Sequence, residues 1–139
     1  MFVKGFDNLE EMEKYYNKDT NTYVFKENGE YIDLVIFHFD LHVGSNIDAY
    51  NINAWNINVL GIVARNINAW DITACGIIAW DITAYSIIAG NITAKNISYD
   101  AICGALGNIK CKSIKGRRKN SKHFVLDGGT LEVEEENQW

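Results

Sequence analysis

Asn66-Ile67-Asn68-Ala69-Trp70-Asp71-Ile72-Thr73-Ala74-Cys75 is two copies of one five-residue unit, Asn/Asp-Ile-x-Ala-x, and the unit continues well beyond both ends of this stretch. Isoleucine stands at every fifth position without a miss, at Ile47, Ile52, Ile57, Ile62, Ile67, Ile72, Ile77, Ile82, Ile87, Ile92, Ile97 and Ile102. Two residues after each comes alanine in nine of twelve cases (Ala49, Ala54, Ala64, Ala69, Ala74, Ala79, Ala84, Ala89, Ala94), the exceptions being Val59, Tyr99 and Gly104. In an α-helix, an apolar residue at every fifth position walks around the axis by about 140° each time, so no apolar stripe forms. In one continuous strand the odd period throws successive isoleucines onto opposite faces, which a one-sided core cannot use. What remains is a three-residue extended piece, Ile-x-Ala, whose first and third side chains point the same way, followed by a two-residue bend. Repeating that piece winds a coil with the twelve isoleucines as its structural core.

Proline is absent, so the bends rely on residues that tolerate left-handed backbone or hydrogen-bond locally. The first position of the unit shows this: Asn46, Asn51, Asn56, Gly61, Asn66, Asp71, Gly76, Asp81, Ser86, Asn91 and Asn96. Between Ile and Ala, the outward residues Asn53, Asn58, Asn68, Thr73, Thr83 and Thr93 are suited to hydrogen-bonded ladders from coil to coil.

The repeat resembles the pentapeptide repeat family over residues 46–105 and, more loosely, 106–116. That resemblance implies a right-handed β-helix of square cross-section with four pentapeptides per turn. The order within the unit departs from the family's, which sets a small residue two positions before the large one; here Ala follows Ile by two. Aligning Asn91-Ile92-Thr93 with the family's Asn-Leu-Thr would put Trp, Tyr, Arg or Lys at an inward position too narrow for them, so Ile and Ala are taken as the inward pair. With four units per turn, residues twenty apart stack: Ile47 with Ile67 and Ile87, Tyr50 with Trp70, Leu60 with Trp80, and Arg65 with Tyr85. Twelve units give three coils, and Asn108-Ile109-Lys110-Cys111 and Ser113-Ile114-Lys115-Gly116 resume the pattern as a fourth, partial coil after two extra residues near Leu106-Gly107. The expected fold is therefore all-β, a right-handed square solenoid of about three to four coils.

A parallel coil exposes unpaired backbone at both ends, so caps are required. Residues 1–45 are read as an N-terminal cap, 46–116 as the repeat domain, and 117–139 as a C-terminal cap with an acidic tail. Asp7 is placed to cap a short helix running from Asn8 to Tyr16, with acids in its first turns. Thr22 to Lys26 and Glu30 to Val35 flank Asn28-Gly29 as a hairpin, and Phe37, Phe39, Leu41 and Val43 lead a strand into the first coil. His123 to Leu126 and Thr130 to Val133 flank Asp127-Gly128-Gly129 as a second hairpin, and Glu134-Glu135-Glu136 is expected to fray.

A chain of 139 residues forms one domain with a core of its own. No long apolar run suggests a membrane span and no basic, apolar leader suggests export, so a cytoplasmic location is expected. Cys75, Cys103 and Cys111 are odd in number and lack Cys-x-x-Cys spacing, which supports neither a disulfide framework nor a zinc site. The glycosylation-like triplets Asn91-Ile92-Thr93 and Asn96-Ile97-Ser98 arise automatically from the repeat. His38, His42 and His123 offer no nucleophile pairing or metal spacing, and no glycine-rich phosphate loop is present. No cofactor, metal or catalytic residue is assigned, and the chain is read as a non-enzyme.

Charge is segregated. Residues 1–40 carry nine acids and four bases, and residues 106–122 carry seven bases and no acid. The run containing Lys115, Arg117, Arg118, Lys119 and Lys122 is the candidate anion contact; five acids lie beyond it, and its alternative reading is a solvated loop neutralised by that acidic tail or an acidic neighbour, since no aromatic residue interleaves it for base stacking, which disfavours nucleic acid as a partner. The corner position after Ala carries the other distinctive surface: Tyr50, Trp55, Leu60, Trp70, Trp80 and Tyr85, more exposed apolar area than a small monomer normally leaves wet. These residues are the candidate interaction surface. The expected function is a non-enzymatic structural or interaction scaffold whose partner is a protein, a second copy in a homodimer being the simplest. The alternative, carried by the family resemblance alone, is a gyrase-binding DNA mimic; that needs a long acidic rod, whereas Asp48, Asp71, Asp81 and Asp100 fall on different faces of a short column.

Overall fold

The computed structural model describes residues 2–126 and 128–134. The chain is a nearly all-β solenoid of about five stacked parallel turns. Its register sets the geometry: Ile57 pairs with Ile72, Ile62 with Ile77, Ile67 with Ile82 and Ile77 with Ile92, always fifteen residues on. Three five-residue units therefore close one turn, and the four-unit square turn expected from the family resemblance is corrected to three sides. The period of five sets the length of a side. It carries no information on the corner angle, which decides how many sides close a turn.

Side one stacks residues 46–48, 61–63, 76–78 and 91–93, side two 51–53, 66–68, 81–83 and 96–98, and side three 56–58, 71–73 and 86–88. The strands Asn66–Ile78 and Asp81–Thr93 run around corners without losing their pairing. At two of the corners one carbonyl accepts two successive N–H groups from the next turn, as Tyr50 does from Arg65 and Asn66 and Trp55 does from Trp70 and Asp71. Eleven of the twelve isoleucines are fully buried, and Ala49, Ala64, Ala69, Ala74, Ala79, Ala84, Ala89 and Ala94 line the interior beside them. Each buried isoleucine contributes about 1.5–3 kcal/mol.

Ile102 is the exception, at 40% exposure. Tyr99 takes the inward place of an alanine in the preceding unit, and one extra residue follows it before pairing resumes as Ser86 with Ile102 and Ile87 with Cys103. A slip of one residue turns every side chain to the opposite face. Cys103 consequently fills the core position and Ile102 points outward. A second extra residue near Gly107 brings Ile109 beneath Ile92, seventeen residues on.

The flanks continue the coil. Ser113–Gly116 pairs beneath side two, Lys122–Val125 pairs in parallel with residues 102–105, and Leu131–Val133 pairs in parallel with Ile109–Cys111. The C-terminal hairpin is thus corrected to two successive parallel rungs on different sides. The enrolled flanks also explain why the turns exceed the three to four expected. Asp127, Glu135 and Glu136 of the expected turn and tail lie outside the described residues.

At the other end Thr22–Val24 lies above side one, Leu34–Phe37 above side two and Leu41–His42 above side three, with Val3–Phe6 one rung higher. The expected helix is a six-residue 3₁₀ segment, Glu10–Tyr15. Its N-cap is Leu9, which makes no side-chain cap, so the capping role expected of Asp7 is corrected; the start is held instead by Asn8 Oδ1 accepting the Glu11 N–H at 3.1 Å and the Glu11 carboxylate accepting the Asp7 N–H at 2.9 Å. The hairpin is confined to Lys26–Glu27 and Glu30–Tyr31, turned by Asn28 and Gly29 at φ 53° and 80°, values that a primed two-residue turn requires. Phe6, Tyr15, Phe25 and Phe37 interlock with ring centroids 5.4 to 5.9 Å apart and plug this end of the column together with Met12 and Ile32.

Candidate functional site

The corners carry the side chains that differ from turn to turn, and the fifteen-residue turn redistributes those singled out from the sequence. Tyr50, Trp80, Trp55, Trp70, Tyr85 and Leu60 do not form one surface; they divide among three corners. The expected pairs Tyr50–Trp70, Leu60–Trp80 and Arg65–Tyr85 are replaced by Tyr50–Arg65–Trp80 and Trp55–Trp70–Tyr85, because residues on one corner recur at fifteen and not at twenty.

The corner between sides one and two alternates rings and cations. The Arg65 guanidinium lies 4.8 Å from the Tyr50 ring and 4.3 Å from the Trp80 ring, and Lys95 Nζ covers the other side of Trp80 at 4.4 Å. Above Tyr50, Tyr31 stacks at 4.6 Å and is itself covered by Lys26 Nζ at 4.5 Å. The Tyr31 hydroxyl donates to Asp48 Oδ1 at 2.8 Å. Burial first, and then the Asp48 carboxylate, push the Tyr31 phenol up to about 12. Each ring on this corner thus has a ring or cation against it, although Trp80 remains 46% exposed.

A polar ladder runs beside it at the first position of side two. Asn51 Nδ2 donates to the Asp33 carbonyl at 2.6 Å, and the Asn66 amide lies 2.6 Å from the Asn51 side chain and 3.2 Å from the Asp81 carboxylate. Asn96 Nδ2 donates to Asp81 Oδ1 at 2.8 Å, and the Ser113 hydroxyl donates to Asn96 Oδ1 at 2.6 Å. The first position of the unit, more than the outward Thr and Asn between Ile and Ala, therefore links the turns.

Between sides two and three the rings follow one another directly. Trp55 meets Trp70 edge-on at 6.3 Å, and Trp70 stacks on Tyr85 at 5.0 Å. Trp55 is 64% exposed and Trp70 49%. Beside them opens a cleft of about 280 Å³ whose walls include Ile36, His38, Asn53 and Asn68, with no Asp, Glu, Lys or Arg side chain. The third corner carries Leu60, Cys75 and Gly90, and a Cβ on Gly90 would stand 2.3 Å from the Cys75 carbonyl oxygen, so only glycine permits this approach of two turns.

The candidate anion residues also separate. Lys115 lies on the outer face of side two opposite Ser98, Arg117 Nε donates to Asp100 Oδ1 at 2.8 Å, Lys119 is exposed, and Arg118 and Lys122 stand at the foot of the Trp55 corner. Of the acids, Asp48 belongs to side one, Asp71 to side three, Asp81 to side two and Asp100 to a corner, as the sequence suggested. His123 accepts or donates a 2.6 Å bond with the buried Tyr99 hydroxyl, while His38 and His42 are exposed. Cys75 is an exposed free thiol and Cys103 and Cys111 are buried free thiols; burial pushes the Cys103 thiol up to about 12, with Cys111 adding to the effect. Among the described residues no three His, Cys, Asp or Glu side chains gather to hold a metal ion, and no helix is long and apolar enough to cross a membrane.

Sequence reasoning missed the alternating corner, yet its signal was present. Trp55 and Trp70, Gly61 and Gly76, and Asn51 and Asn66 are like residues at spacings of fifteen. The fold and its corners define the class: a β-solenoid repeat protein with three-sided turns. No protein-family model, curated protein or solved structure matches the chain.

Proposed function

We propose that the protein is a non-enzymatic interaction scaffold that pairs with a second copy of itself through the Trp55–Trp70 corner. The observation that carries this reading is the exposed ridge of two tryptophans beside a cleft without charged side chains, on a molecule whose other aromatic corner, though Trp80 is also 46% exposed, sets cations against its rings. Charge supports the choice of partner. Residues 1–40 carry nine acids and four bases, whereas residues 106–122 carry seven bases and no acid, followed in sequence by the five acids Asp127, Glu132, Glu134, Glu135 and Glu136. Two copies laid antiparallel about a two-fold axis bring each acidic N-terminal end toward the other's basic 106–122 segment with the tryptophans between them. The likeness to the pentapeptide repeat family is one of period; the three-unit turn and the Ile-x-Ala order separate this chain from the family's four-unit turn, so the scaffold reading rests on the surface. The DNA-mimic alternative draws no support from four aspartates placed on different sides.

Sedimentation equilibrium tests the proposal. A wild-type dimer that becomes monomeric in Trp55→Ala/Trp70→Ala, with unchanged circular dichroism, is the expected result, and 1 M salt should weaken the dimer. A monomeric wild type, or a double variant of undiminished mass, would overturn it.

A further inference from the structure

At the foot of the Trp55 corner the ring stack ends at Tyr85, and the loop from Arg117 to Ser121 folds over it. Asp100 anchors that loop: it accepts from Arg117 Nε at 2.8 Å, and its carbonyl accepts from the Ser121 hydroxyl. Arg118 is held differently. Its guanidinium lies 5.3 Å from the Tyr85 ring, and its Nη2 stands 3.9 Å from Asp100 Oδ2, beyond hydrogen-bond reach. Among the described residues its side-chain donors, the Lys122 ammonium and the Asn120 amide have no hydrogen-bond acceptor.

These three groups share a cleft of about 280 Å³ with Tyr85, Ala101 and Ile102. No carboxylate lines it. The apolar floor follows from the slip after Tyr99, which turned Ile102 out of the core and onto this surface. The Lys122 ammonium and an Arg118 guanidinium held only by a 3.9 Å ion pair to Asp100 and by the Tyr85 ring, beside a low-dielectric wall, favour an anion, and guanidinium matches the paired oxygens of an oxyanion in a way a point charge does not. The exposed isoleucine suits an apolar body attached to that anion.

We propose that this cleft binds a small organic oxyanion, a phosphate or sulfate monoester, with Arg118 and Lys122 holding the anionic group and Ile102 and Tyr85 receiving its apolar body. The inference uses neither tryptophan, but Arg118 and Lys122 belong to the basic segment that the proposed dimer sets against its partner's acidic end, so the titration is repeated on Trp55→Ala/Trp70→Ala, in which binding should persist whether or not the dimer forms.

Calorimetric titration of the full chain with phenyl phosphate and with inorganic phosphate provides the test. Saturable binding of phenyl phosphate is expected, weakened about tenfold or more by either Arg118→Ala or Lys122→Ala, the loss of a charged hydrogen bond. Ile102→Ser should abolish the preference for phenyl phosphate over inorganic phosphate, and Lys119→Ala, on the same loop but outside the cleft, should leave affinity unchanged. Thermal melts of the variants establish that each is folded. Absence of saturable binding by the wild type, indifference to Arg118→Ala and Lys122→Ala, or an equal loss on Lys119→Ala would overturn the assignment, the last outcome marking a diffuse charge effect.

Discussion

Tyr50 and Trp80 on one corner are separated by Arg65, whereas Trp55, Trp70 and Tyr85 on the next corner meet with no cation between them. Both sets occupy the same position in the five-residue unit and stand on the same backbone. What differs is the residue supplied one turn later. A cation between two rings engages a face of each, so the corner spends its apolar surface on its own stability. A run of rings covers only the inner members and leaves the outermost, Trp55, with a free face. Alternation thus makes a strut, and repetition makes a surface available to a partner.

The comparison can be broken or sharpened by measurement, beginning with the interior both corners share. Ile82 lies on side two between them, and Ile82→Ala should cost about 2–5 kcal/mol in urea unfolding, while Ile102→Ala, at the displaced position, should change stability by less than about 0.5 kcal/mol. Similar losses at the two sites would refute the register described here. Arg65→Ala removes two cation-π contacts and should cost about 1–2 kcal/mol without altering the mass in solution. A loss of association instead would transfer the interface to the strut.

Alkaline titration probes the strut more gently. The Tyr31 phenol, raised to about 12 in the folded chain from an ordinary value of 10.0, holds its proton more tightly when folded. Its contribution is complete below pH 10 and is lost as pH rises from 10 to 12. The stability difference between wild type and Tyr31→Phe should therefore shrink across that window, and a difference constant with pH would count against a phenol raised by burial and the Asp48 carboxylate together. Smallest of all should be the effect of Trp55→Ala on stability, under about 1 kcal/mol for an exposed ring with one edge contact, even though the same change is expected to weaken the dimer.

Much of the solenoid was legible because its core is periodic. Ile67 and Ala69 announce a short strand with one buried face whatever follows them. The number of sides was not legible from that period, since Ile and Ala are identical on every side and the bend angle belongs to the backbone of the corner. A family likeness supplied four sides, and the corner pairings inherited the error. Other features escaped for local reasons. Tyr99 in an alanine's place, and Gly104 followed by Ala105 where the unit calls for alanine at 104, were the sequence signs that Ile102 would leave the core. Phe6 and Phe25 come together from non-repeating chain, where no spacing relates them. Arg117 and Arg118 read as neighbours of equal standing, and only the folded loop hydrogen-bonds one to Asp100 and leaves the other, 3.9 Å from the same carboxylate, on the cleft wall.

The interior of this protein keeps time in fives and its exterior in fifteens. Losing one unit from the middle of the repeat would leave every isoleucine and alanine in phase, yet would carry each downstream residue round to the neighbouring corner. Trp70 would then stand where Arg65 now stands, and the strut and the open ridge would be shuffled together. Slippage in steps of five is thus silent to the core and scrambling to the surface, whereas a step of fifteen lengthens the rod and preserves the identity of every edge.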